Sequence, residues 1–181
     1  MLVQRVVEEV TGDPLDKFMA TQVFKPPAMN HSDYVWNTHI AQSLLPGTKA
    51  NDRLRATKDL TIPIAAFSLY TTAADYGKFL VAVFNDGDVI RRLLASRVSV
   101  DPGLGFSWVL GWEIERAPED PHIWQWGRNN GYPDFAIASV RMGDGFVMLT
   151  NSENGLALAE PITRKIVPGE HCLRCIAACA G

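Results

Sequence analysis

The first 171 positions of this 181-residue chain hold no cysteine; Cys172, Cys175 and Cys179 are the only three. A disulfide framework for the fold is thereby excluded. Long apolar runs are missing too. The longest, such as Phe79 to Phe84, falls far short of the roughly 20 residues that span a bilayer. Met1-Leu2-Val3-Gln4-Arg5 lacks the basic start and apolar block of a signal peptide, so the sequence carries no address and leaves its compartment open. Charge of one sign is not in excess either: the net charge is −3 and the pI about 5.8. Without a cluster of Lys and Arg, neither a nucleic-acid surface nor a membrane partner is expected.

Further absences narrow the chemistry. His31, His39, His122 and His171 are scattered, with no His-x3-His or His-Glu-x-x-His spacing, so no metal hydrolase site is expected. Each histidine reads as a surface or hydrogen-bonded residue. Gly103-Leu104-Gly105 precedes a strand rather than a helix N-terminus, which excludes a phosphate cradle there. The tail His171-Cys172-Leu173-Arg174-Cys175-Ile176-Ala177-Ala178-Cys179 offers soft ligands for zinc or an iron–sulfur cluster, but no second pair exists elsewhere. Its i, i+3, i+7 cysteine spacing also describes one face of a frayed helix. No cofactor and no metal are implied.

What is present is ordinary globular composition, 47% hydrophobic and 20% charged. Leu2, Val3, Val6, Val7 and Val10 share one helical stripe, with Gln4, Arg5, Glu8 and Glu9 on the other, and Gly12 stops the helix. Asp13-Pro14-Leu15-Asp16 restarts one with Asp13 as N-cap; Leu15, Phe18 and Met19 form its buried face, and Lys25-Pro26-Pro27 ends it. Residues 28 to 66 show little periodicity and read as a long surface excursion. Thr72-Ala73-Ala74-Asp75 has capping-box spacing, and Tyr76, Phe79, Leu80, Val83 and Phe84 predict a helix over about 72 to 85. A short helix follows after Asp88.

From Phe106 the period changes to two. Phe106, Trp108, Leu110, Trp112 and Ile114 alternate with Ser107, Val109, Gly111, Glu113 and Glu115, which predicts one strand with a deeply buried face. After the turn Ala117-Pro118-Glu119-Asp120-Pro121, further strands run through Gln125, over about 134 to 142 and over Phe146 to Thr150. A helix over Gly155 to Val167, kinked or delayed by Pro161, closes the body. The expected fold class is α+β, an antiparallel meander of four strands with helices packed on it, in one unit over residues 1–169 and a cysteine-containing tail over 170–181.

Four co-linear segments, "LVQRVVEEVTGDPLDKFMATQVFKPPAM", "AAFSLYTTAADYGKFL", "GLGFSWVLGWEIE" and "WQWGRNNGYPDFAIASVRMGDGFVMLTNSENG", resemble the C-terminal half of the beta-lactamase-like serine hydrolases, the superfamily of class C beta-lactamases, DD-peptidases and related esterases. The resemblance implies a partial beta-lactamase/DD-peptidase-like fold whose N-terminal part is missing. The family's chemistry rests on Ser-x-x-Lys, a Tyr-x-Asn or Ser-x-Asn element and a Lys-Thr-Gly strand motif. None of the serines here has Lys three residues on, and no tyrosine has Asn two residues on. The catalytic Ser, Lys and Tyr are therefore expected upstream of residue 1. Gln125-Trp126-Gly127 stands where the resemblance puts Lys-Thr-Gly, and Arg128 at the position whose backbone N–H serves the oxyanion hole. Asn129, Asn130 and Tyr132 fall on the rim. Alternation sends Gln125 and Gly127 to one face, with Trp124 and Trp126 on the other.

Two functions stand side by side. One is the C-terminal portion of a serine hydrolase acting on a small ester or amide once an N-terminal half completes it. The other is a catalytically silent remnant or binding module of the same fold. With Gln125 in place of lysine, a neutral substrate is expected over a carboxylate. A half-fold leaves a sheet edge uncovered, so self-association is expected.

Overall fold

The computed structural model describes residues 1–55, 59–103, 105–115, 120–169, 171 and 173; Cys172, Cys175, Cys179 and the expected turn residues Ala117, Pro118 and Glu119 lie outside these. The chain divides into two compact units, Met1–Pro46 with Ala56–Phe79, and Gly47–Arg55 with Leu80–Gly181.

In the first unit, helix α1 (Leu2–Thr11) ends where Gly12 adopts φ 74° and returns its N–H to the Glu8 carbonyl. The apolar stripe forms, but it faces outward: Leu2 is 77% and Val10 80% exposed, and Val3 and Val6 are exposed as well. The polar side is the anchored one. The Gln4 amide donates to the Pro63 carbonyl (3.0 Å) and accepts from the Ala65 N–H (3.0 Å), while Glu8 accepts from the Leu15 N–H (3.1 Å). Helix α2 (Leu15–Phe18) has Pro14 rather than Asp13 at its N-cap, with no side-chain cap, and runs on into a π-helical stretch, Met19–Phe24. Leu15, Phe24, Met29 and Tyr34 bury together, and Phe24 and Tyr34 stack at 6.0 Å.

The expected surface excursion contains one more helix, α3 (Thr38–Ser43), whose first turn is capped by the Asn37 side chain accepting from the Ile40 N–H. At six residues it is too short to print a periodic stripe; only Ile40 is buried. Helix α4 (Ala73–Asn85) starts as predicted, with Thr72 Oγ1 accepting from the Asp75 N–H (3.1 Å). The Asp75 side chain is fully buried. Burial alone would raise its carboxyl, but bonds from Lys78 (2.7 Å), the His31 N–H (2.6 Å) and Ser32 (3.1 Å) outweigh that and hold its pKa below the ordinary value.

The second unit is built on an antiparallel sheet of six strands rather than four: β1 (Val98–Asp101), β2 (Phe106–Val109), β3 (Trp112–Glu115), β4 (His122–Asn129), β5 (Tyr132–Ser139) and β6 (Gly145–Leu149), paired in sequence order. The single strand predicted from Phe106 to Glu115 is a hairpin. Val109 pairs with Trp112, and the two loop residues both take positive φ, Leu110 at 46° and Gly111 at 91°. That is the backbone a two-residue hairpin turn demands. The turn also reverses the expected burial: Val109 is buried, whereas Trp108 is 42% and Leu110 78% exposed.

Helix α5 (Gly87–Ala95) is capped by Asp86. Its Leu93 packs with Val109, Ile114 and Ile123 on one face of the sheet. On the other face Trp124, Phe135 and Ile137 meet Leu156 and Ala159, from a 3-10 turn (Gly155–Leu158) that feeds helix α6 (Ala159–Ile166), together with Val167 and Leu173. Pro161 is accommodated in the first turn of α6, where no intrahelical N–H is lost. Each fully buried Val, Leu, Ile or Phe among these contributes about 1.5–3 kcal/mol.

Candidate functional site

Strands β4 and β5 form the longest hairpin, with eight residue pairs from His122–Ser139 to Asn129–Tyr132. On its other side β4 is paired only over His122–Trp124, with Glu115, Ile114 and Glu113 of β3. Toward Gln125 the partner chain turns back through Leu110 and Gly111. On the side away from β5, the stretch Gln125–Gly127 of β4 therefore has no strand partner among the described residues. A single long strand would have covered it; the tight β2–β3 turn is what leaves it open.

The faces fall as alternation requires. Trp124 is wholly buried and Trp126 packs on the same cluster, while Gln125 and Gly127 lie on the Ile123 face, half-buried. Gln125 Nε2 donates to the carbonyl of Trp126 (3.2 Å). Gly127 pairs with Asp134, and a Cβ on Gly127 would stand 3.0 Å from both Asp134 carboxylate oxygens. The close neighbour that glycine admits is thus a carboxylate of this chain. Desolvation pushes the pKa of Asp134 up to about 6. Asp134 escaped sequence reasoning, although counting back across the Asn130-Gly131 turn sets it opposite Gly127.

The rim residues serve the scaffold. Gly131, at φ 83°, lies against the backbone of the 47–55 segment; a Cβ there would meet Gly47 Cα at 3.0 Å. Tyr132 Oη accepts from the Gly47 N–H (2.8 Å), and Thr48 N–H donates to the Asn151 carbonyl (2.7 Å). Arg55 forms an ion pair with Glu153. That hydrogen bond, helped by the charges of Arg55 and Arg128, holds the Glu153 carboxyl below its usual pKa. Asn129 closes the β4–β5 ladder opposite Tyr132, and Asn130 lies exposed in the turn.

At the far end of β4 two histidines expected to stand alone come together. Their rings are edge-to-face at 4.6 Å, and both are buried with Glu115. The bond to Glu115 raises the pKa of His171; burial and the neighbouring His171 lower that of His122. Among the described residues, Glu115, His122 and His171 are the one group whose ligand atoms converge as a metal would require, all within 4.8 Å of one another. No described helix is long and apolar enough to cross a membrane.

The beta-lactamase family model matches residues 1–167. None of the curated proteins matches the chain. Among solved structures, a class C beta-lactamase superposes with a TM-score of 0.76 at 15% identity, covering 94% of this chain and 56% of the other. The penicillin binding protein from Bacillus halodurans gives 0.69 at 19% identity, with 89% and 53% covered. The D-amino acid amidase from Ochrobactrum anthropi SV3 complexed with L-phenylalanine amide gives 0.64 at 19%, with 83% and 47% covered. These likenesses show the fold, and the chain spans about half the length of each of these structures.

Proposed function

The chain belongs to the beta-lactamase family, and on that premise we propose that it is the C-terminal portion of a serine hydrolase that transfers acyl groups from a small, neutral ester or amide. The observation that carries this reading is that β4, on the side away from β5, has no strand partner over Gln125–Gly127 among the described residues. An extended strand that lacks a neighbour on one side can pair with a substrate amide. Attack on the substrate carbonyl places negative charge on its oxygen, and the family resemblance assigns the Arg128 N–H to that oxyanion. Gln125, where the family strand motif has lysine, supplies no cation for a substrate carboxylate, which favours a neutral group. An amide in the related amidase structure is consistent with that class.

The nucleophile is proposed to come from residues outside this chain, in an N-terminal extension or a second polypeptide. An unactivated hydroxyl is a poor nucleophile, and no serine here carries the Ser-x-x-Lys spacing. The outward apolar stripe of α1 supports a missing partner surface. Self-association through the uncovered sheet edge is proposed at β1, where Val98 and Val100 are both 66% exposed. No nucleic acid, membrane or cofactor enters this reading.

One observation favours the second reading, a silent binding module. The Gln125 amide donates to the Trp126 carbonyl, and the Asp134 carboxyl lies over Gly127, so groups of this chain already contact the wall. Labelling with a fluorescent penicillin and a fluorophosphonate separates the two. The hydrolase reading expects the chain alone to stay unlabelled and a form extended by Ser-x-x-Lys and Tyr-x-Asn to label at one serine. Reversible binding by the extended form without covalent labelling would leave only the binding module. A single labelled serine in the chain alone would overturn the placement of the nucleophile.

A further inference from the structure

We infer that Glu115, His122 and His171 form a binding site for a divalent transition cation of the zinc class, which fastens the segment after α6 to the β3–β4 end of the sheet. The side chains come from the end of β3, the start of β4 and the chain beyond α6, and all three are buried. His171 Nδ1 stands 3.1 Å from Glu115 Oε2, and the ligand atoms of the trio lie within 4.8 Å of one another. Ligands about 2.0–2.1 Å from a tetrahedral zinc are roughly 3.3–3.5 Å apart, so the 3.1 Å pair would open slightly and the widest pair would close by up to about 1.5 Å.

Proton placement calls for a cation. His171 Nε2 is 3.1 Å from the Val167 carbonyl, which can only accept, so Nε2 carries the hydrogen. In the neutral ring Nδ1 then aims a lone pair at the Glu115 carboxylate, which is also an acceptor. Positive charge has to stand between them, as a proton or as a metal ion. His122 distinguishes the two. Its side chain is buried, 2% exposed, and neither ring nitrogen makes a hydrogen bond. The Pro168 carbonyl lies near the ring but not in hydrogen-bond geometry. A proton on His171 leaves His122 unsatisfied, whereas a metal takes a lone pair from each histidine and a carboxylate oxygen. The Val167 carbonyl on His171 is also the outer contact that metal-bound histidines usually make.

Three protein ligands leave a fourth position for water. At about 3.4 Å per residue, His122 lies roughly 10 Å along β4 from Gln125, where the edge begins, so the site is separate from that edge.

The test uses the full chain without a polyhistidine tag. Stripped with a chelator and dialysed against micromolar zinc, it should bind about one equivalent and melt at a higher temperature. Cobalt in place of zinc should give visible d–d bands without the near-ultraviolet thiolate band. Replacing Cys172, Cys175 and Cys179 together by serine should leave the stoichiometry unchanged, whereas His122→Ala and Glu115→Gln should each weaken binding on the order of 100-fold. A thiolate band, loss of metal in the triple serine variant, or failure of the unmutated chain to bind zinc would overturn the proposal. The cobalt spectrum needs no substitution, so it decides even if His122→Ala does not fold.

Discussion

Asp134 is held over Gly127 with its carboxyl pKa near 6, against about 3.9 for an unfolded aspartate. Between those values the folded chain binds a proton that the unfolded chain has already lost. The contribution of Asp134 to stability is therefore greatest below about pH 4, falls as the pH rises toward about 6, and stays reduced above it. The full shift corresponds to up to about 3 kcal/mol. Asp134→Asn should remove that loss, raising the urea midpoint at pH 8 while changing it little at pH 4. Parallel pH profiles for the two proteins would show that burial does not hold the carboxyl protonated. At this scale strand alternation alone sorted Trp124 and Trp126 from Gln125 and Gly127. Asp134 needed the hairpin register as well, which depends on which residues of Asn129-Asn130-Gly131 make the turn. The meeting of His122 and His171 left no local signal, because only tertiary packing brings the tail to the sheet.

Periodicity in α1 located the helix and its two sides, but it says nothing about which side finds a partner. Here the Gln4 and Glu8 side makes the contacts and Leu2, Val3, Val6 and Val10 stay outside. The β2–β3 hairpin was missed for a different reason. Leu110-Gly111 is not the Asn-Gly or Asp-Gly that marks a tight turn, and the alternation of apolar residues carries straight through it. Leu110 at φ 46° is a strained choice, since a left-handed conformation costs a β-carbon-bearing residue about 1–2 kcal/mol. Leu110→Asn should therefore stabilise the protein by about 0.5–1 kcal/mol, read as a higher urea midpoint with unchanged slope. A lower midpoint would mean that Leu110 makes a contact worth more than its strain.

For the molecule as a whole, the meander was legible because each strand pairs with its sequence neighbour, so local turns suffice to order the sheet. Its two outermost strands behave differently. β6 runs into the Thr48–Ser152 bridge, whereas β1 ends the sheet with Val98 and Val100 exposed. Val100→Lys should shift the elution of concentrated protein toward the monomer without lowering its melting temperature; a wild-type monomer at every concentration would rule out association at that edge. The place where β2–β3 stops has one more consequence. From Gln125 to Gly127 the stretch of β4 without a strand partner on this side is about 10 Å long, and each residue added to both hairpin arms would cover about 3.4 Å of it. The hairpin is thus a ruler laid along that edge: if the edge binds substrate as proposed, homologues with longer arms would admit shorter guests, and substrate length would track the arm rather than any residue that touches the substrate.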